Sequence, residues 1–185
     1  LYWKRGPAVK QCRAGRRFGM RRLSHVDAQG RARMVDVGHK RPTRREAVAT
    51  GSVTMSREAF ELVRRNRAAK GDVLAVAQLA GIQAAKRTWE LIPLCHPLPL
   101  DAVEVDLELD PSRRRIVIEA RARTRAATGV EMEALTAVAI TALAIYDMVK
   151  AVDRQATLAE IGLLEKRGGK SGPFRRRVDR SRRPT

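Results

Sequence analysis

Two short stretches carry residue types whose spacing suits proton transfer. In residues 81–97 (GIQAAKRTWELIPLCHP), the adjacent cations Lys86 and Arg87 lead to a tryptophan and then to Cys95 and His96, bracketed by Pro93, Pro97 and Pro99. Proline fixes its own φ and restricts the residue before it, so such a loop keeps a histidine in one place. A held imidazole either exchanges protons near neutral pH or satisfies a structural hydrogen bond. In the second stretch, Asp147 and Lys150 stand three apart, which puts both side chains on one helical face. They read as a solvated ion pair or as a base and an acid. Their place at the end of an apolar run favours chemistry, because charge beside a buried stretch needs a reason.

Other charged groups sit where an anion could be held. Lys70 in KGD, Lys86 and Arg87 fall near loops or helix ends, and such cations either hold phosphates or keep a surface soluble. Glu131 and Glu133 in TGVEMEA suit the positive end of a helix dipole as well as a binding site. The string RGGKSG at 167–172 resembles half of a P-loop, yet position 164 is Leu164 where glycine is required, and SGPFRRR is no helix. What remains is a glycine-rich loop offering backbone N–H groups, Lys166 and Lys170 to an anion. No His, Cys, Asp or Glu cluster has metal-ligand spacing, so no metal site is expected.

The elements that position these groups are legible in the periodicity. Residues 101–110 alternate strictly, with Val103, Val105, Leu107 and Leu109 opposite Glu104, Asp106, Glu108 and Asp110. After a turn at Pro111 and Ser112, residues 114–125 return as a second strand, placing Arg opposite Glu and Asp. Residues 46–55 and 157–164 give two further strands. Helices are expected over 56–67 with Ser56 as N-cap, over 72–89 with Asp72 as N-cap and an interruption near Gly81, and from Val130 to Val152. The last is apolar on almost every side between Ala134 and Tyr146, which calls for a sheet on one side and a partner subunit on the other. The order is that of an α+β split βαβ sandwich with an antiparallel four-stranded sheet and an inserted helix.

The net charge of +18 is concentrated at the ends. Residues 1–22 carry eight Lys and Arg with no acid, and residues 166–185 carry nine with Asp179 alone against them. These ends hold sixteen of the eighteen excess charges, so the body between is nearly balanced. Three parts are expected: a basic, disordered or upstream segment at 1–22, a domain at 23–174, and a disordered basic tail at 175–185. Met20 invites the reading that the working protein begins there. Cys12 and Cys95 are too few for a disulfide framework, which points to the cytoplasm. No apolar run reaches the roughly 18 residues of a membrane span, and the basic start lacks the apolar core of a secretory signal.

The strings MVDVGHK (34–40), KGDVLAVAQLAGIQAAKRTWELIPLCHPLPL (70–100), TGVEMEALTA (128–137), IYDMVKAVD (145–153) and GGKSG (168–172) occur in one order over residues 23–174. In them the chain resembles the MoaC family, the cyclic pyranopterin monophosphate synthases of molybdenum cofactor biosynthesis. The resemblance implies a ferredoxin-like subunit in a homohexamer, a trimer of dimers, with active sites at subunit interfaces. It implies conversion of 3′,8-cyclo-7,8-dihydroguanosine 5′-triphosphate to cyclic pyranopterin monophosphate with release of diphosphate. The resemblance implies no required cofactor, with magnesium able to accompany the triphosphate.

By matching motif, Asp147 in IYDMVK is implied as the acid/base, with Lys150 its charge partner or a second proton donor. Leu94, Cys95 and His96 form a substrate-binding loop, and Met132 and Glu133, with Glu131 as neighbour, another substrate contact. Lys70, Lys86, Arg45, Lys166 and Lys170 go to the triphosphate or the leaving diphosphate. One departure stands out: Ala126 and Ala127 replace a Gly-Lys that often precedes TGVEME in the family, removing one cation. The rival classes are a basic nucleic-acid binder and an assembly protein without activity. Aromatics at 4% leave few stacking platforms for the first, and the intact Asp147, Lys150, His96 and Glu133 argue against the second.

Overall fold

Strict alternation in the centre of the chain builds the middle of the sheet. The computed structural model describes residues 29–66 and 71–177. Within them β1 (Thr43–Thr54), β2 (Ala102–Asp110), β3 (Arg115–Ala126), β4 (Thr157–Arg167) and β5 (Phe174–Arg175) form one sheet in the order β2-β3-β1-β4-β5, with every pairing antiparallel. The sheet thus has five strands where four were expected. The fifth is a two-residue edge strand that pairs Phe174 with Lys166 after the glycine-rich turn. Glu104 faces Arg121 as the alternation requires, but Asp106 faces Glu119. The turn fixes this register: Asp110 accepts from Ser112 Oγ (2.6 Å), Arg113 N (3.1 Å) and Arg115 Nε (2.9 Å), and Arg114 takes φ 50°.

The four helices α1 (Arg57–Arg64), α2 (Val73–Lys86), α3 (Thr88–Leu91) and α4 (Glu131–Val149) pack chiefly on one face. Ser56 caps α1, whose Phe60 and Val63 are buried, and Asp72 caps α2 through a 2.9 Å bond from Ala75 N. α2 runs unbroken through Gly81 and ends at Arg87. The expected interruption is absent because Gly81 is where α2 crosses α4: a Cβ there would stand 2.1 Å from Thr141 Oγ1. Glycine here permits close packing rather than a kink.

Small residues also let α4 approach the sheet. Ala47, Ala49, Ile118, Ala120 and Ala122 meet Ala134, Ala137, Val138, Ala142 and Ile145 in one core. A Cβ on Gly51 would lie 2.6 Å from Val138 Cγ1, so the odd-numbered residues of β1 point at α4 and the even ones away. By length and hydropathy α4 would suffice to cross a membrane, contrary to the sequence expectation, but half of it is buried against β1, β3 and α2. It is a core helix. Its outer stripe stays open, with Met132, and Leu143 at 52%, exposed.

Among the described residues, 34–177 gather into one unit and 29–33 belong to another, where Gln29 and Gly30 make a turn with Gly30 at φ 79°. The basic segment 1–22 and the tail from 178 onward lie outside the described residues.

Candidate active site

The site grows from the start of α4. Three segments converge on its first turn: the proline loop after α3, the glycine-rich turn after β4, and the start of β1. Glu133, on the first turn, is only 4% exposed. Burial pushes its carboxyl up to about 7, and the nearby charge of Glu131 pushes the same way against a backbone hydrogen bond. A carboxyl so placed holds a proton near neutrality and can both donate and accept.

Cys95 is half-buried within reach of that charge. Burial, then the charge on Glu133, raises its thiol above the usual range, so it stays a neutral thiol and a poor nucleophile. The loop carrying it turns back through a 3.0 Å bond from Cys95 N to Ile92 O. His96 is held by more than its prolines, because Nε2 lies 2.9 Å from the carbonyl of Val35. A carbonyl only accepts, so Nε2 carries a proton and Nδ1 is left for a second partner. Sequence reasoning missed this partner: nothing in MVDVGHK marks Val35 beyond its presence. Leu94 is half-buried in the same loop and Met132 is exposed on α4 beside Glu133.

On the other side, Lys166 Nζ stands 3.8 Å from Glu131 Oε1 and donates to Ser171 Oγ. Gly168 and Gly169 follow with φ 88° and 84°, a conformation other residues rarely adopt. Their turn lies against β1: a Cβ on Gly169 would meet Arg45 Nη1 at 1.8 Å. Arg45 itself donates from Nε to Ala126 O (3.4 Å) and from Nη2 to Ala127 O (3.3 Å). Its guanidinium therefore ties the start of β1 to the loop feeding α4. Gly129 is a further residue that no sequence signal marked: a Cβ there would lie 1.9 Å from Glu131 Oε2. Lys170 is exposed beside this group.

Three expected residues stand elsewhere. Lys150 Nζ contacts Asp147 Oδ1 at 2.6 Å, with both side chains about half exposed at the far end of α4. The hydrogen bond and charge of Asp147 raise the Lys150 ammonium above its ordinary value. Fourteen residues separate Glu133 from Asp147, about 21 Å along the helix at 1.5 Å per residue. Within one chain these carboxyls do not share a pocket. Lys86 is exposed at the end of α2, next to Arg87, which pairs with Glu90 at 2.8 Å. Lys70 lies outside the described residues. Among the described residues no three His, Cys, Asp or Glu side chains gather as a metal site would need.

An antiparallel sheet backed by helices, with the buried Glu133 near Cys95 and with Glu131 near Lys166 at the start of one helix, defines a mixed α/β protein with its candidate site at that helix start. The chain belongs to the MoaC family, whose model matches residues 34–169. It is 60% identical over 163 residues to the cyclic pyranopterin monophosphate synthase of Thermomicrobium roseum, covering 88% of this chain and 98% of that protein. The protein of that name from Pelotomaculum thermopropionicum is 57% identical over 155 residues, or 84% and 91% of the two chains. Human molybdenum cofactor biosynthesis protein 1 is 53% identical over 163 residues, which cover 88% of this chain and 26% of that protein.

Proposed function

We propose that this chain is a cyclic pyranopterin monophosphate synthase, a lyase of molybdenum cofactor biosynthesis. It converts 3′,8-cyclo-7,8-dihydroguanosine 5′-triphosphate to cyclic pyranopterin monophosphate and releases diphosphate. The observation that carries the reading is the group at the start of α4, where Cys95, Glu133, Glu131 and Lys166 stand side by side in a chain so similar to relatives of that name.

The reaction opens a purine ring, rebuilds it as a pterin and closes a cyclic phosphate, so it consists of proton transfers around a held polyphosphate. Glu133, protonated up to about pH 7, offers a donor and an acceptor to the guanine-derived ring, and His96 offers Nδ1. Leu94 and Met132 supply apolar contact. Asp147 acts as base and Lys150 as its charge partner. Lys166 and Lys170, with Lys70 and Lys86, hold the phosphates, and any magnesium arrives with the triphosphate as part of the substrate. Arg45 fixes the loop before Glu131 with two of its N–H groups and turns the remaining donors to the phosphates.

The reading extends to assembly. The split of Asp147 from Glu133 along α4 and the open apolar stripe at Met132 and Leu143 support a homohexamer in which one subunit's Asp147 completes another's pocket. The order β2-β3-β1-β4 with α2 and α4 on one face supports a ferredoxin-like subunit extended by β5, and the cytoplasm is its place of work. Incubating the purified protein with the cyclised dihydro-GTP substrate, while following diphosphate and pterin, tests the function. Folded protein that forms no product overturns it.

A further inference from the structure

Arginines on the sheet face turned away from α4 fall into two groups. Arg121 lies 3.2 Å from Glu46, 3.6 Å from Glu119 and 3.8 Å from Glu104; Arg123 pairs with Glu104, and Arg167 with Glu165 at 2.5 Å. Arg44 and Arg125 differ. They are direct cross-strand partners in the β1–β3 register, both exposed, with no carboxylate paired to either among the described residues. Like charges placed directly opposite on a sheet repel. They flank a cleft of about 610 Å³ whose floor is Pro42, Thr43, Asp101 and Ala102, with Arg123 completing its wall. Asp101, the single acid there, is fixed by a 2.9 Å bond from its N–H to Arg123 O.

We propose that this cleft is an anion site, separate from the group at the start of α4, that takes a diphosphate moiety. The two unpaired guanidinium groups, Arg44 and Arg125, with the Glu104-paired Arg123 beside them, offer forked donors that match phosphate oxygens in pairs. A diphosphate supplies enough charge to neutralise the excess left by Asp101, and 610 Å³ accommodates it with a nucleoside attached. The cleft lies across the sheet from the helices, since Arg44 and Arg45 project to opposite faces of β1. It is nonetheless next to the backbone that builds the active site. A Cβ on Gly168 would stand 2.2 Å from Arg44 O, and Ala126, which follows Arg125, accepts from Arg45. Occupancy therefore steadies both the glycine-rich turn and the loop before α4.

Calorimetric titration of the full chain with sodium diphosphate, against the R44Q/R125Q variant, tests this. The variant should lose a saturable component, with at least tenfold weaker binding there, and keep its circular dichroism and melting temperature. R44K/R125K, which keeps the charge and loses the fork, should be intermediate and covers the case in which the glutamine variant fails to fold. D147N should retain the component. Titration with GTP identifies the source of the moiety: tighter binding than diphosphate with the same variant dependence points to a nucleotide, equal binding to free diphosphate. Identical isotherms for wild type and R44Q/R125Q overturn the proposal. So does an equal response to sulfate at matched ionic strength, or preferred binding of a single-stranded oligonucleotide that R44Q/R125Q also abolishes.

Discussion

Gly81 of α2 lies directly against Thr141 of α4. A methyl group on Gly81 would stand 2.1 Å from Thr141 Oγ1 and 3.0 Å from Ala137 O. Thr141 is fully buried, and its hydroxyl has no hydrogen-bond partner within the described residues. The contact sets the distance between the two helices that carry the proline loop and both proposed acids. Gly81→Ala should therefore destabilise the fold by about 1–3 kcal/mol through overpacking, read by urea unfolding. Adding Thr141→Ala should recover most of that loss. An unchanged unfolding midpoint for the single variant would refute the close crossing.

Glu133 predicts a pH dependence of stability. Its folded carboxyl keeps a proton up to about pH 7, whereas the ordinary value is 4.5. Between those values the folded state binds more protons than the unfolded one, so stability falls as pH rises through that window. Glu133→Gln should flatten the melting temperature across pH 4.5 to 7 relative to wild type. Parallel profiles for the two proteins would show that the carboxyl is ordinary.

Asp147→Asn should leave folding and assembly intact, because the side chain is half exposed and pairs with Lys150 across one helical turn. Loss of a general base costs about 10²–10⁴-fold in rate. Steady-state turnover of the cyclised dihydro-GTP substrate checks this, and near-native kcat would remove Asp147 from the chemistry.

The 14-residue spacing along α4 predicts complementation between chains. If Asp147 of one subunit serves the Glu133 pocket of another, mixed assemblies of D147N and E133Q chains should recover about a quarter of wild-type turnover, since random pairing leaves that share of sites intact. A site closed within one chain would give none.

Arg45 predicts a loss of order in the loop before α4. Arg45→Met removes two hydrogen bonds to the carbonyls of Ala126 and Ala127, worth about 1–3 kcal/mol when a charged donor leaves buried acceptors behind. Arg45→Lys keeps the charge but cannot span both carbonyls, so it should rescue little. Hydrogen exchange of residues 127–131 would report the loosening, and full rescue by lysine would return Arg45 to a role as a simple phosphate cation.

Alternation and capping act over a few residues, so the strands around Val105 and Ile118, the caps at Ser56 and Asp72, and the apolar span of α4 are legible in the chain alone. Motif order also singled out Cys95, His96, Glu133, Asp147 and Lys150 as candidates. Which of them stand together was settled by the fold. It set Cys95 beside Glu133 and Glu131 beside Lys166, turned Gly81 from a break into a contact, and assigned Arg45 to its own chain's carbonyls. Those outcomes depend on where helices cross and which faces of β1 meet them, a matter of packing between residues far apart in sequence that no local pattern encodes.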